Sequence, residues 1–143
     1  MIVFTHWSAA YIGRPWSVTG EGPEAFSCWG LVRFLMREHY GLQLPVVRFD
    51  QGARLDPTTL GAIKHAARLQ GWRVLPQRIP PREGDIVVLE SATRHHVGLV
   101  IRYRNRLSVI HCSQGCGVVR EEWLDFASQS APQVWRRDAD TIS

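Results

Sequence analysis

The chain has 143 residues, 45% of them hydrophobic and 21% charged, the composition of an ordinary folded globule with enough length for one core and too little for two. The 17 Lys and Arg outnumber the 13 Asp and Glu, for a formal net charge of +4 and a sequence pI near 9.4. Because that excess is spread through Arg rather than gathered in a block, it suits contact with an anionic polymer without the dense basic run that would point to nucleic acid, and no nucleic-acid partner is expected.

Residues 1 to 27 read as a short extended start, a helical turn or two around Trp7 to Ile12, and a loop punctuated by Gly13, Pro15, Gly20, Gly22 and Pro23. Met1 to His6 carries no basic segment followed by a long apolar run, so neither a signal peptide nor a membrane insertion is expected. The loop holds Trp16, which is placed either to wall a groove or to anchor the core.

A helix is predicted from Cys28 to Tyr40, with Ser27 as N-cap and Gly41 as a left-handed stop. Leu31 and Leu35, with Val32 or Phe34, supply its buried stripe. Cys28 then falls in the first turn, where unpaired N–H groups and the positive end of the helix dipole favour a thiolate and predict a lowered pKa. The bland alternative is a small buried apolar side chain. Leu42 to Asp56 reads as a connection. A second helix begins at Asp56-Pro57, carries Leu60, Ile63, Ala67 and Leu69, and ends at Gly71. His65, with no motif around it, is expected at the surface.

From Trp72 the pattern changes to strands: Trp72 to Leu75, Ile86 to Leu89 after Gly84-Asp85, Val97 to Tyr103, Leu107 to Cys112 and Gly117 to Arg120. A short helix is predicted from Glu122 to Ala127 and a last strand from Gln133 to Arg137. Helices followed by an antiparallel meander give an α+β domain over residues 1–143, without repeats or low-complexity segments. Two strands carry histidines: His95 and His96 open one, and His111 lies near the end of the next. A cysteine at a helix start followed by two histidine-bearing strands is a candidate Cys-His-His nucleophilic site. Because successive strand residues face opposite sides, only one of His95 and His96 can look into it.

Three cysteines leave at least one thiol free. Cys112 and Cys116 are spaced to pair or simply to pack, and their spacing is not that of a zinc knuckle, so no metal and no cofactor is expected.

The run Phe26-Ser27-Cys28-Trp29-Gly30-Leu31-Val32-Arg33 resembles the nucleophile motif of the NlpC/P60 family of papain-like cell-wall cysteine peptidases. Gly84-Asp85-Ile86-Val87, His96-Val97-Gly98-Leu99-Val100 and Ile110-His111-Cys112-Ser113 resemble that family's later strands, in the same order. The resemblance implies a papain-like fold with N-terminal helices packed on a C-terminal antiparallel sheet. It also implies a cysteine peptidase acting on peptidoglycan stem peptides, at the bond between D-glutamate and the diamino acid. Cys28 would be nucleophile, His96 the general base and His111 its orienting partner, with His95 on the rim and Trp16, Ser27 and Trp29 at substrate-binding positions. The family register, with His immediately before Val-Gly, is what selects His96 over His95. Departures are Ser27 where the family commonly has Asp, Trp16 where it usually has Tyr, and Cys112 where it has a small residue.

Trp29 and the segment Glu38-His39-Tyr40-Gly41-Leu42-Gln43-Leu44-Pro45 look most like the phage tail-associated branch. That branch implies a virion tail component with other tail-tip proteins as partners, made in the host cytoplasm and acting in the bacterial cell wall. The rival readings are a catalytically silent tail-tip or hub protein, and a papain-like amidase or acyltransferase working on another amide.

Overall fold

The computed structural model describes residues 5–47, 55–91 and 94–138. A 3-10 turn, Trp7–Ala10, leads through the N-terminal loop to α1 (Cys28–Tyr40); α2 is Pro57–Leu69. The strands are β1 (Trp72–Val74), β2 (Ile86–Glu90), β3 (His95–Tyr103), β4 (Arg106–Ser113), β5 (Gly117–Glu122) and, after α3 (Trp123–Ser130), β6 (Gln133–Arg137). They form one antiparallel sheet in the order β1-β6-β2-β3-β4-β5. The α+β class expected from the sequence is the one observed.

Caps and periodicity explain the helices. The Ser27 side chain accepts from Gly30 N at 2.9 Å, and Gly41 closes α1 in the left-handed conformation at φ 66°. Asp56 caps α2 by accepting from Thr59 N at 2.7 Å, followed by Pro57. Leu60, Ile63 and Ala67 are buried as expected, whereas Leu69 is 76% exposed. It lies two residues past Ala67, about 200° around the helix and therefore on the far side.

Two apolar layers sandwich the sheet. On the α1 face, Leu31, Val32 and Leu35 pack with Leu99, Ile101, Ile110 and Val118; on the other, Val87, Leu89, Val100 and Val109 gather around Phe126 of α3. The central strands are thus buried on both sides, which is why they read as continuous apolar runs rather than alternating ones. Each fully buried aliphatic side chain contributes about 1.5–3 kcal/mol. The β3–β4 hairpin turns through Arg104 and Asn105, both left-handed at φ 52° and 62°, the geometry of a two-residue hairpin loop.

Most strands run longer than the sequence suggested, β3 beginning at His95 and β5 reaching Glu122, whereas β1 stops one residue early at Val74 and β6 keeps its expected bounds. The order is also more than a meander, because β6 inserts between β1 and β2. Asp85 locks that insertion. Its carboxylate accepts from Arg136 Nη2 at 2.7 Å and Nε at 2.9 Å, and from Arg82 N at 2.7 Å, which makes it a structural residue. Part of the predicted connection between α1 and α2, and the start of the chain through residue 4, lie outside the described residues. Among the described residues no helix is long and apolar enough to cross a membrane.

Candidate active site

The N-terminal loop is clasped against the start of α1 by backbone bonds: Phe26 N to Pro15 O at 3.0 Å, Ser17 N to Phe26 O at 2.9 Å and Ser27 N to Gly20 O at 2.8 Å. The helix sits so close to this loop that a Cβ on Gly30 would run into the Gly20 carbonyl oxygen. Sequence thus fixes Cys28 on a helix start that is held from behind.

In front of it the sheet opens. The β3–β4 register begins at Leu99↔Ile110, so the strands part ahead of that pair. Val100 N donates to Asp85 O across to β2, and by alternation the N–H of Val97 faces the parting. It meets the Cys28 sulfur there and holds its pKa down, as do the N–H groups of Cys28 and Trp29. The opposite lip is tied by the Cys112 thiol, which donates to Phe26 O at 3.2 Å. The first turn of α1 is therefore wedged into a split sheet.

His96 and His111, on adjacent strands, are buried at 6% and 4% exposure. His96 Nε2 and His111 Nδ1 are hydrogen-bonded at 2.9 Å with the rings nearly perpendicular. His111 Nε2 is in turn bonded to Glu121 Oε2 of β5 at 3.1 Å, and its ring meets the edge of Phe126. Gly98 makes room for this stack, since a Cβ there would lie 2.8 Å from Val109 Cγ1 and 3.2 Å from His111 Cβ.

A cleft of about 710 Å³ runs along the split, lined by Trp16, Cys28, His95, His96 and Cys112, with Asp56 and Arg94 at its polar walls. Cys28 and His96 share this wall. Among the described residues the thiol makes no hydrogen bond to His96, and Nδ1 is the imidazole nitrogen that the His111 bond leaves over. His95, one residue away and more exposed, also lines the cleft, which corrects the expectation that strand alternation would admit only one of the two histidines: the cleft opens at the very start of β3 and both border it. Ser27 and Trp29 do not line it: Ser27 is occupied in capping, and Trp29 is buried at 2% exposure with Nε1 donating to Pro45 O at 3.1 Å. The substrate contacts expected of these two positions are therefore not placed at this cleft. Cys28 and Cys112 are free buried thiols and Cys116 is free and exposed, so the expected alternative of a Cys112–Cys116 pair is not formed.

Burial corrects the electrostatic expectation. It pushes the Cys28 thiol up to about 11, outweighing the three backbone N–H groups that act the other way. Burial likewise drives His96 down to about 3, with His111 and Arg94 adding to the effect. His111 is lowered too, by burial first, although Glu121 opposes it. The resting pair is thus a neutral thiol beside a neutral imidazole, not the thiolate predicted from the helix start alone.

Sequence reasoning missed Glu121 and the Val97 N–H. The signal for Glu121 was the period of two: with His111 opposite Val119, residue 121 lies diagonally adjacent on the same face. That register was not readable before the strands were paired.

Comparison with known proteins bears on this geometry. Residues 13–136 match the model of the NlpC/P60 family. A solved structure described as the NlpC/p60 domain of peptidoglycan hydrolase SagA superposes with a TM-score of 0.54 at 20% sequence identity, over 90% of each chain. At that identity the likeness establishes the papain-like NlpC/p60 fold. No curated protein matches the chain.

Proposed function

The chain belongs to the NlpC/P60 family, and from that premise we propose that it is a cysteine endopeptidase that cleaves peptidoglycan stem peptides through Cys28, His96 and His111. The observation that carries this reading is a single one: a hydrogen-bonded imidazole pair, His96–His111, opens onto the same cleft as a thiol at a helix start. The SagA domain's description as part of a peptidoglycan hydrolase supports the substrate class.

On this reading the scissile carbonyl enters beside Cys28. As the sulfur attacks the carbonyl carbon, its proton passes to His96 Nδ1, so that the pair remains net neutral while charge separates within it. Only a dipole then has to be stabilised in the buried site, which is cheaper than a bare thiolate or imidazolium. The 2.9 Å bond, donated by His96 Nε2–H to His111 Nδ1, stabilises the charge that the His96 ring gains. The N–H groups of Cys28 and Val97 already point at the sulfur, and a backbone donor that holds the developing oxyanion is worth about 3 kcal/mol in comparable acyl-transfer sites. Collapse returns the His96 proton to the departing amine and leaves a thioester on Cys28. Water, deprotonated by the same imidazole, releases the acid and restores the thiol.

Trp16 would wall the groove, while Arg94 and His95 offer cationic or donor groups to substrate carboxylates. Within this reading the bond cut is that between D-glutamate and the diamino acid, and the enzyme acts as a phage tail component delivered to the wall. The tail assignment rests on Trp29 and the segment Glu38 to Pro45. Trp29 Nε1 donates to Pro45 O at 3.1 Å, which holds the two together in the fold.

Purified peptidoglycan incubated with wild type and with Cys28→Ala tests the proposal. Wild type should release stem-peptide fragments whose masses identify the bond, and the variant none. Equal release by both would refute the role of Cys28, and no release by either would favour a silent structural protein. Detection of the chain in purified phage tails checks the assembly.

A further inference from the structure

Behind the imidazole pair stands a carboxylate to which nothing above gives a part in the chemistry. Glu121 sits on β5 with its side chain 40% exposed, while the His111 side chain that it contacts is 5% exposed. The contact therefore links solvent to the buried end of a line that runs Glu121, His111, His96 and then the cleft.

Proton bookkeeping gives that contact a direction. An ionised carboxylate has no hydrogen to offer, so the 3.1 Å bond requires the proton on His111 Nε2. A neutral His111 then has a bare Nδ1, which can only accept. The 2.9 Å bond must consequently be donated by His96 Nε2–H, and a neutral His96 is left with a bare Nδ1. This is the nitrogen that must be bare for His96 to take a proton from Cys28. Reversing any one bond in the line would place a proton on His96 Nδ1 and disable it.

We propose that Glu121 is a positioning residue that sets the tautomers of both histidines in series, so that His96 is held as the base-competent form. The proposal rests on the endopeptidase reading above. Its local charge environment is simple. Among the described residues the charged and titratable groups around the pair are Glu121 from β5, Arg94 and His95 at the head of β3, Cys28 beside His96 on the cleft, and Asp56 from the start of α2 on the cleft wall, while α3 contributes the Phe126 ring. Removing the carboxylate therefore frees the tautomers and also withdraws the anion hydrogen-bonded to His111, which would offset an imidazolium formed in mid-reaction.

The test pairs kinetics with a spectroscopic readout. In Glu121→Ala, kcat on a soluble stem peptide should fall about 10- to 100-fold, by analogy with loss of the hydrogen-bonded partner of a metal-ligating histidine, with KM within about twofold. The acid limb of kcat/KM should move to lower pH, because an imidazolium without its anion is harder to form. Two-bond proton–nitrogen spectra of histidine-labelled wild type should show Nε2–H on both His96 and His111 at neutral pH, and Glu121→Ala should show a population of Nδ1–H. Glu121→Gln, which keeps an accepting oxygen but no charge, should recover part of the kcat while its acid limb stays displaced. Unchanged tautomers and an unchanged acid limb in Glu121→Ala would overturn the proposal, with wild-type activity leaving the endopeptidase reading intact. Should wild type itself cut no stem peptide, the endopeptidase reading falls, and the nitrogen spectra alone decide the part played by Glu121.

Discussion

A buried thiol pushed up to about 11 makes a prediction about reactivity that differs sharply from that of a preformed ion pair. The perturbation is alkylation of Cys28 by iodoacetamide across pH, in a Cys116→Ser background so that the exposed thiol does not consume reagent. Cys112 will not interfere, because burial holds it higher still, at about 12. Only the thiolate reacts. At pH 7 a group of pKa about 11 is thiolate to about one part in ten thousand, against about one in a hundred for the ordinary value of 9.0, so Cys28 should react roughly a hundredfold more slowly than an ordinary thiol. Two pKa steps correspond to about 3 kcal/mol, which the proton transfer to His96 and the substrate's own contacts must offset during turnover. Peptide mass spectrometry reads the rate at Cys28. The expected profile climbs about tenfold per pH unit toward pH 10 with no acid plateau. A flat, fast rate between pH 4 and 8 would refute the reasoning, since it would mean that the thiolate–imidazolium pair exists before substrate arrives.

The depressed pKa of His96 predicts acid sensitivity of the fold. The unfolded chain protonates this ring near 6.5 and the folded one only near 3, so stability is full above about 6.5 and falls as pH drops through that window. The loss is on the order of 3 kcal/mol by pH 4.5, and thermal melts at pH 7 and 4.5 should converge in His96→Asn; equal pH sensitivity of variant and wild type would contradict the assignment. Gly98→Ala should cost about 1–3 kcal/mol and reduce kcat more than it raises KM, because its Cβ would press on Val109 and His111. A variant with wild-type melting temperature and kcat would show that the stack yields freely.

Much of the fold could be read in advance where local chemistry decides it. Ser27, Gly41, Asp56 and Pro57 fixed the helix boundaries, because caps act within a few residues. The apolar runs in β2 to β4 marked strands for the same reason. What escaped was set by partners distant in sequence. β6 crosses into the sheet through the Arg136–Asp85 pair, and Trp29 is drawn into the core toward Pro45, whereas Leu69 was a local misjudgement of helix phase. At the cleft, residue types and order pointed to Cys28, His111 and one of His95 and His96, and the family resemblance chose His96 between the two. The charge state went the other way, because a helix start argues locally for a thiolate while the split sheet that buries it is a tertiary fact. Glu121 depended on strand register, which side-chain alternation alone does not supply.

The central claim is that Cys28 carries the acyl group of the substrate, and trapping that group tests it most directly. An activated ester of a stem peptide, mixed with protein in slight excess and quenched in acid, should acylate faster than water clears the product. Intact-mass spectrometry should then find the protein heavier by the acyl fragment, localised to the peptide bearing Cys28, with His96→Ala far slower to acquire it. Hydrolysis of the ester at the wild-type rate by Cys28→Ala, or an adduct on any other residue, would contradict the account.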